Sequence, residues 1–289
     1  MKQARHPLTI AVPLVILLGA SAHAFESDRI AVTTSGAGPA LLFIPGMNSS
    51  PAVWDEVTQR LDGSGIHLIQ VKGFAGQPAD GNAAGEILPE LAKEIARYIE
   101  EEGLDDVSVV GHSMGGLVGT MVAARHPDLV DQLMVVDIPA YFGDIMGIPP
   151  EQIEGVADAM RLEALARTDE ARDLAEIAFI EAGVLDEGKR QLVIEDMRSS
   201  DAAVGAQALY EVMTTDLRPE LAQVAAETTI VFAQPAQAPD MTQDAVTGFY
   251  ASQYGTIPDV RFEFIPDSGP YVMLDQPERL AELIEELLR

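Results

Sequence analysis

The sequence predicts an α/β protein: a mostly parallel, doubly wound sheet, interrupted late in the chain by a wholly helical stretch. Three observations carry this expectation. Short apolar runs alternate with segments of helical spacing, the pattern of a parallel sheet covered on both faces. One run, Val107, Val109 and Val110, breaks into Gly111-His112-Ser113-Met114-Gly115 and then into a helix carrying Leu117, Val118, Met121, Val122 and Ala124 as far as His126-Pro127. From Ile138 to about Arg218 the alternation stops and only helical spacing remains.

Taken in order, the chain opens on a leader-like segment. Lys2 and Arg5 precede an apolar run over 8–19, and Ala22-His23-Ala24 closes it with a small-x-small pattern, so cleavage is expected after Ala24 and export to the periplasm or medium with it. The run is short for a membrane span, and an uncleaved anchor is the alternative. Residues 40–44 (ALLFI) read as a buried strand ending in a turn at 45–50, with a helix from Val53-Trp54 through Leu61. A strand is expected over 66–71, a glycine- and proline-punctuated loop over 73–78, and an amphipathic helix over 87–101. The run at 133–136 is a strand closing on Asp137, and helices follow over 151–165, 170–181, 189–197 and 204–214. The sheet resumes with strands at 228–232 and 260–265, separated by a helix over 245–254, and a terminal helix occupies 277–288.

Composition excludes several function classes. The chain has 289 residues, enough for one large domain with a sizeable core or one domain carrying an insertion. Its formal charge of −28 is spread along the whole length, repels nucleic acid and anionic lipid, and favours neutral or cationic ligands over anionic ones; the expected partner is a small apolar, neutral molecule. There is no cysteine, hence no disulfide framework and no thiol chemistry. No His, Cys and carboxylate cluster has metal-ligand spacing, and GHSMGG lacks the lysine of a nucleotide-binding loop, so neither metal nor cofactor is expected. Oligomeric state is not legible.

The G-x-S-x-G at 111–115 carries the chemistry. Between a strand and a helix it places Ser113 in a strained turn above the sheet, at the N-terminus of a helix whose dipole favours developing negative charge. A β-carbon at Gly111 or Gly115 would crowd the neighbouring strand and helix. Met47, Ser113 and Asp137 each follow closely on a strand, so all three should meet on one rim of the sheet.

Four stretches in order, PALLFIPGMNSSPAVWDEV, GHSMGG, AARHPDLVDQLMVVD and DSGPYVMLDQPERLAELI, resemble the α/β-hydrolase-fold superfamily over about 40–288. The resemblance implies a hydrolase core over 25–139 and 218–289 and a helical cap over 140–217 that shapes the pocket. Met146, Ile148, Met160, Phe179, Ile180 and Met213 are candidate pocket residues, although packing between cap helices is the better explanation for any one of them. It also implies Ser113 as nucleophile, with the backbone N–H groups of Met47 and Met114 as oxyanion donors.

The same resemblance exposes a gap. The family's histidine falls within DSG-x-Y, where this chain has Pro270, which neither titrates nor donates. His67 should sit away from the rim, His112 should point away from the Ser113 hydroxyl, and His126 lies at the far end of its helix. Tyr271 is a weak base at neutral pH. The family's acid position falls at about Ala236, which leaves Asp240 and Asp137 as candidates, with a purely structural strand-end role an equal reading for Asp137. The expected function is an exported serine hydrolase of small carboxylic esters or acyl compounds, impaired for want of its usual base. The alternative is a catalytically inactive relative that binds a small molecule.

Overall fold

The computed structural model describes residues 25–234 and 240–289; the expected leader at 1–24 and the loop position 236 lie outside them. Seven strands form one sheet: β1 (Ile30–Gly36), β2 (Ala40–Ile44), β3 (Gly65–Val71), β4 (Ser108–His112), β5 (Gln132–Val136), β6 (Glu227–Phe232) and β7 (Val260–Phe264). Their order is β1-β3-β2-β4-β5-β6-β7. β1 runs antiparallel to β3, and the remaining neighbours pair in parallel. The helices are α1 (Asp55–Thr58), α2 (Leu88–Glu102), α3 (Met114–Arg125), α4 (Pro150–Ala166), α5 (Asp169–Gly183), α6 (Arg190–Ser199), α7 (Ala202–Thr214), α8 (Gln243–Tyr254), α9 (Val272–Asp275) and α10 (Pro277–Leu287).

Period-two alternation along buried strands sends successive side chains to opposite faces, which explains the two main cores. On one face Leu42, Ile44, Val109, Val135 and Phe232 pack with residues of α2, α3 and α8. On the other, Leu41, Phe43, Val110, Met134 and Val231 pack with residues of α1, α9 and α10. The four helices α4 to α7 fall between β5 and β6. They touch both cores, because Ile180, Val184 and Val193 join the second cluster while Val204, Ala208 and Val212 join the first. A third, small cluster of Tyr141, Ile153, Ala157 and Met213 knits α4 to α7. No helix among the described residues is long and apolar enough to cross a membrane.

Two elements differ from the sequence expectation. β1 was not foreseen: it is an edge strand with Ile30 buried and most of VTTSG exposed, so it lacks an apolar signature. The helix expected from Val53 through Leu61 is instead a 3-10 turn over Pro51–Trp54 followed by the single turn of α1. Arg60 and Leu61 then bond back three residues, to the carbonyls of Val57 and Thr58, and so tighten the chain out of the helix.

The crossing of α3 over the sheet is a tight backbone approach. A β-carbon at Gly115 would lie 2.2 Å from the Ile44 carbonyl oxygen and 2.6 Å from that of Pro45. One at Gly111 would lie 2.3 Å from the Gly115 oxygen. Backbone stands on both sides, so neither clash is relieved by a rotamer change. We expect Gly115→Ala to cost about 3 kcal/mol or more in urea unfolding. Gly103→Ala, at the left-handed end of α2 with open space around it, should cost only about 1 kcal/mol.

Candidate active site

The C-terminal ends of the parallel strands carry the site residues. After β2 comes the turn at 45–50, with Met47 following Gly46. After β4 comes Ser113, with φ +50° and ψ −122°, a conformation L-residues rarely adopt. It is held there by backbone bonds: the Ser113 N–H donates to Val136 O at 2.9 Å, and its carbonyl accepts from Gly116 and Leu117, at 2.8 and 3.2 Å. Met114 opens α3, so its N–H belongs to the unsatisfied first turn of a helix, a natural seat for negative charge. Gly46 lies between these parts. A β-carbon on it would sit 2.9 Å from His112 Nδ1 and 3.4 Å from Ser113 Cβ.

His112 is the histidine that the fold brings to Ser113. It is buried, and its Nε2 lies 3.1 Å from the Pro270 carbonyl oxygen. A carbonyl only accepts, so this bond puts the ring proton on Nε2 and leaves Nδ1 as the lone-pair nitrogen. Nδ1 is buried and has no hydrogen-bond partner. Neither nitrogen therefore bonds the serine. Burial outweighs the carbonyl's pull and lowers the imidazole pKa to about 4, so the ring is neutral at physiological pH. Tyr271 packs on the ring at 4.8 Å between centroids and shares a hydrogen bond with the Ser49 side chain; burial pushes its phenol up to about 12. The other described histidines lie elsewhere: His67 of β3 pairs through Nδ1 with the Tyr98 hydroxyl of α2 at 2.6 Å, and His126 ends α3.

Asp137 follows β5 with φ +52°. Its Oδ1 accepts from the Ala233 N–H at 3.2 Å and from the Tyr250 hydroxyl at 3.4 Å, so a phenol and a backbone amide, not an imidazole, occupy it. Burial raises its pKa to about 6, against those two bonds. Asp240 is exposed, two residues before the Thr242 cap of α8. No group of His, Asp and Glu among the described residues could hold a metal ion.

A cavity of about 430 Å³ reaches the site at Met47 and Asn48 and runs under the helical insertion. Met160, Phe179 and Met213 line it, as do Phe142 and Leu209. Of the other candidates, Met146 is exposed, Ile180 is buried in the second core, and Ile148 packs on the Tyr141 cluster.

Sequence reasoning missed two carboxylates that fasten this region. Asp196 of α6 accepts from the Ser50 N–H and hydroxyl, and Asp275 of α9 accepts from the N–H groups of Leu185, Asp186 and Gly269. Their partners lie as far as 146 residues away, beyond any local pattern.

A sequence model of the alpha/beta hydrolase family matches residues 41–283. The pimeloyl-(acyl-carrier protein) methyl ester esterase of Aeromonas hydrophila is 31% identical over 133 residues, 44% of this chain and 49% of that protein. The chain spans about half the length of that relative, and a protein of the same name from Aromatoleum aromaticum aligns over 87% of this chain and 98% of its own length, at 27% identity. Among solved structures, an esterase from Exiguobacterium antarcticum has the same fold, with a TM-score of 0.74 at 21% identity, covering 90% of this chain and 96% of that one.

The two buried titrating groups pull stability in opposite directions. His112 binds its proton less readily when folded, about 4 against an ordinary 6.5, so its contribution is complete above 6.5 and is lost as pH falls through 4. Asp137 holds its proton more tightly, about 6 against 3.8, so its contribution is complete below 3.8 and is lost as pH rises through 6. Each amounts to about 3 kcal/mol, and between pH 4 and 6 they offset. Relative to wild type, His112→Gln should make stability fall more steeply as pH rises over this window. Asp137→Asn should make it rise, with urea midpoints at three pH values as the readout.

Proposed function

Because the chain belongs to the alpha/beta hydrolase family, we propose that it is an exported serine hydrolase of small carboxylic esters or acyl compounds, slowed by the loss of its base. The observation that carries this reading is the Ser113 elbow itself. A serine in so strained a backbone, between two candidate oxyanion donors, is costly to maintain without a use. The curated relatives, named as methyl ester esterases, support an ester as the substrate class. In this reading Ser113 Oγ attacks the ester carbonyl carbon, the carbonyl electron pair moves onto oxygen, and the Met47 and Met114 N–H groups hold the resulting oxyanion. Solvent water takes the Ser113 proton and returns it to the departing alkoxide, which leaves as the alcohol; a second water then adds to the acyl-serine, releasing the carboxylic acid and restoring the Ser113 hydroxyl.

The difficult step is removal of the serine proton. Pro270 offers no acceptor at the family's histidine position except its carbonyl, and that is engaged by His112. Serine hydrolases deprived of triad members keep roughly 10³–10⁴-fold acceleration over water, through the oxyanion donors and substrate binding. The helical insertion acts as the cap, and the cavity at Met47 takes the apolar part of the substrate. The leader-like segment supports export. Asp137 or Asp240 is the acid remaining from the family's triad, with no imidazole hydrogen-bonded to Asp137 among the described residues.

A second reading, a binding protein without turnover, is favoured by Pro270 together with the intact cavity. A fluorophosphonate probe separates the two. The hydrolase reading expects slow labelling of Ser113 that disappears in Ser113→Ala. The binding reading expects no labelling, with thermal stabilisation by medium-chain methyl esters. Pro270→His should raise p-nitrophenyl butyrate hydrolysis by about 10²-fold or more, the usual scale of general-base catalysis. Turnover by the unmodified protein near the enzyme median of about 10 s⁻¹ would contradict the proposed impairment.

A further inference from the structure

The candidate oxyanion turn makes few bonds within itself. Ser49 N donates to Gly46 O at 3.3 Å, and the Ser49 hydroxyl reaches Met47 O at only 3.5 Å, so these internal bonds are long. Asn48 in its middle has φ +59°. A short turn with weak internal bonding and a left-handed residue needs outside support to hold one N–H in a fixed direction.

That support comes from the helical insertion, at two points. Asp196 of α6 is buried, and its Oδ2 accepts from the Ser50 N–H at 2.7 Å and from the Ser50 hydroxyl at 2.6 Å. Both bonds are short and charge-assisted. Independently, α7 closes on the turn at Gly205, where a β-carbon would lie 2.8 Å from Asn48 Oδ1. The corner between α6 and α7 is itself tied to the core, because Gly76 N donates to Ser199 O at 3.1 Å and Asp201 N to Gly73 O at 2.7 Å. Tyr271 shares a hydrogen bond with the Ser49 side chain in the same turn.

We infer that Asp196 is a positioning residue: through Ser50 it fixes the turn that carries the Met47 N–H, so the oxyanion site is complete only while the α6–α7 corner is seated. The inference rests on the proposed role of Met47 but adds a dependence on the insertion that the family fold does not by itself require. It separates two tasks within the insertion. Met160 and Phe179 line the cavity, whereas Asp196 acts on the chemistry without touching a ligand.

The groups facing Asp196 are consistent with this role. Burial raises its pKa, the two Ser50 bonds lower it, and Glu195 beside it raises it. Tyr271 faces the same carboxylate, whose charge helps to raise the phenol's pKa.

The test uses the full chain and the variants Asp196→Asn and Ser50→Ala, with hydrogen exchange of the amides at 46–51 and fluorophosphonate labelling of Ser113 resolved into an inactivation rate and a binding constant. We expect faster amide exchange in both variants and an inactivation rate about tenfold lower with the binding constant unchanged. The double variant should be no worse than the more affected single one. Ser50→Ala alters one partly exposed hydroxyl, so it keeps the question open to measurement should Asp196→Asn fold poorly. Unchanged exchange in a folded Ser50→Ala or Asp196→Asn protein, or faster exchange with an inactivation rate within twofold of wild type, would overturn the inference. Should the wild-type protein fail to label, the hydrolase reading falls, and exchange at 46–51 alone decides whether Asp196 holds the turn.

Discussion

The close approach of α3 to the end of β2 is the constraint on which the rest depends. Helix and strand backbones come within contact distance only because residue 115 has no side chain, and the Ile44 and Pro45 carbonyls occupy the space where one would go. That approach brings the helix N-terminus beside the turn after β2. It also brings Gly46 close to Ser113, where a β-carbon on residue 46 would lie 3.4 Å from Ser113 Cβ, and Ser113 itself has a positive φ. The strain is borne by backbone bonds on both sides, from Ser113 N to Val136 O and from α3 back to the Ser113 carbonyl. The strand order contributes as well: β4 lies at the centre of the sheet between β2 and β5, so the turns on both its flanks are held by parallel neighbours.

Around this rim the chain buries polar groups that have little to do with one another chemically but share one physical situation. His112 is kept neutral, Asp137 is pushed toward its protonated form, and Tyr271 is kept from ionising, each chiefly by removal from water. None has the opposite charge beside it that a working catalytic pair supplies. Asp137 faces a hydroxyl and an amide, and His112 faces a carbonyl. The rim is thus electrostatically quiet compared with a triad, in which an ionised carboxylate orients an imidazole ready to accept a proton.

Much of the fold was legible because the strands are buried on both faces and so read as continuous apolar runs. ALLFI, LMVV and TTIVF each mark a strand that is present. β1 was illegible for the converse reason: an exposed edge strand needs no apolar pattern, and its pairing with β3 is made by backbone groups. Pairing at the sheet edge is a property of chain geometry that residue types report poorly. Within the site, the glycines at 111 and 115 announced their close contacts. Asp196 and Asp275 announced nothing, since an acidic residue on an acidic helix reads as a solvated face until its distant partners are in view. Likewise the bond of the His112 ring to residue 270 left no local signal, since it joins the end of β4 to a loop 158 positions away.

The loop around Pro270 is built so that residue 270 contributes through its backbone. Its shape is fixed from both sides by backbone donors: Gly269 N–H to Asp275, and Tyr271 N–H to Gly183 O. Residue 270 contributes its carbonyl, which any amino acid has, and that carbonyl satisfies His112 Nε2. A side chain at this position is therefore not needed for packing the loop, and proline, which fixes φ and removes an N–H, sacrifices no backbone bond that the neighbouring residues make. A different residue at 270 would therefore enter a loop already shaped by its neighbours' bonds.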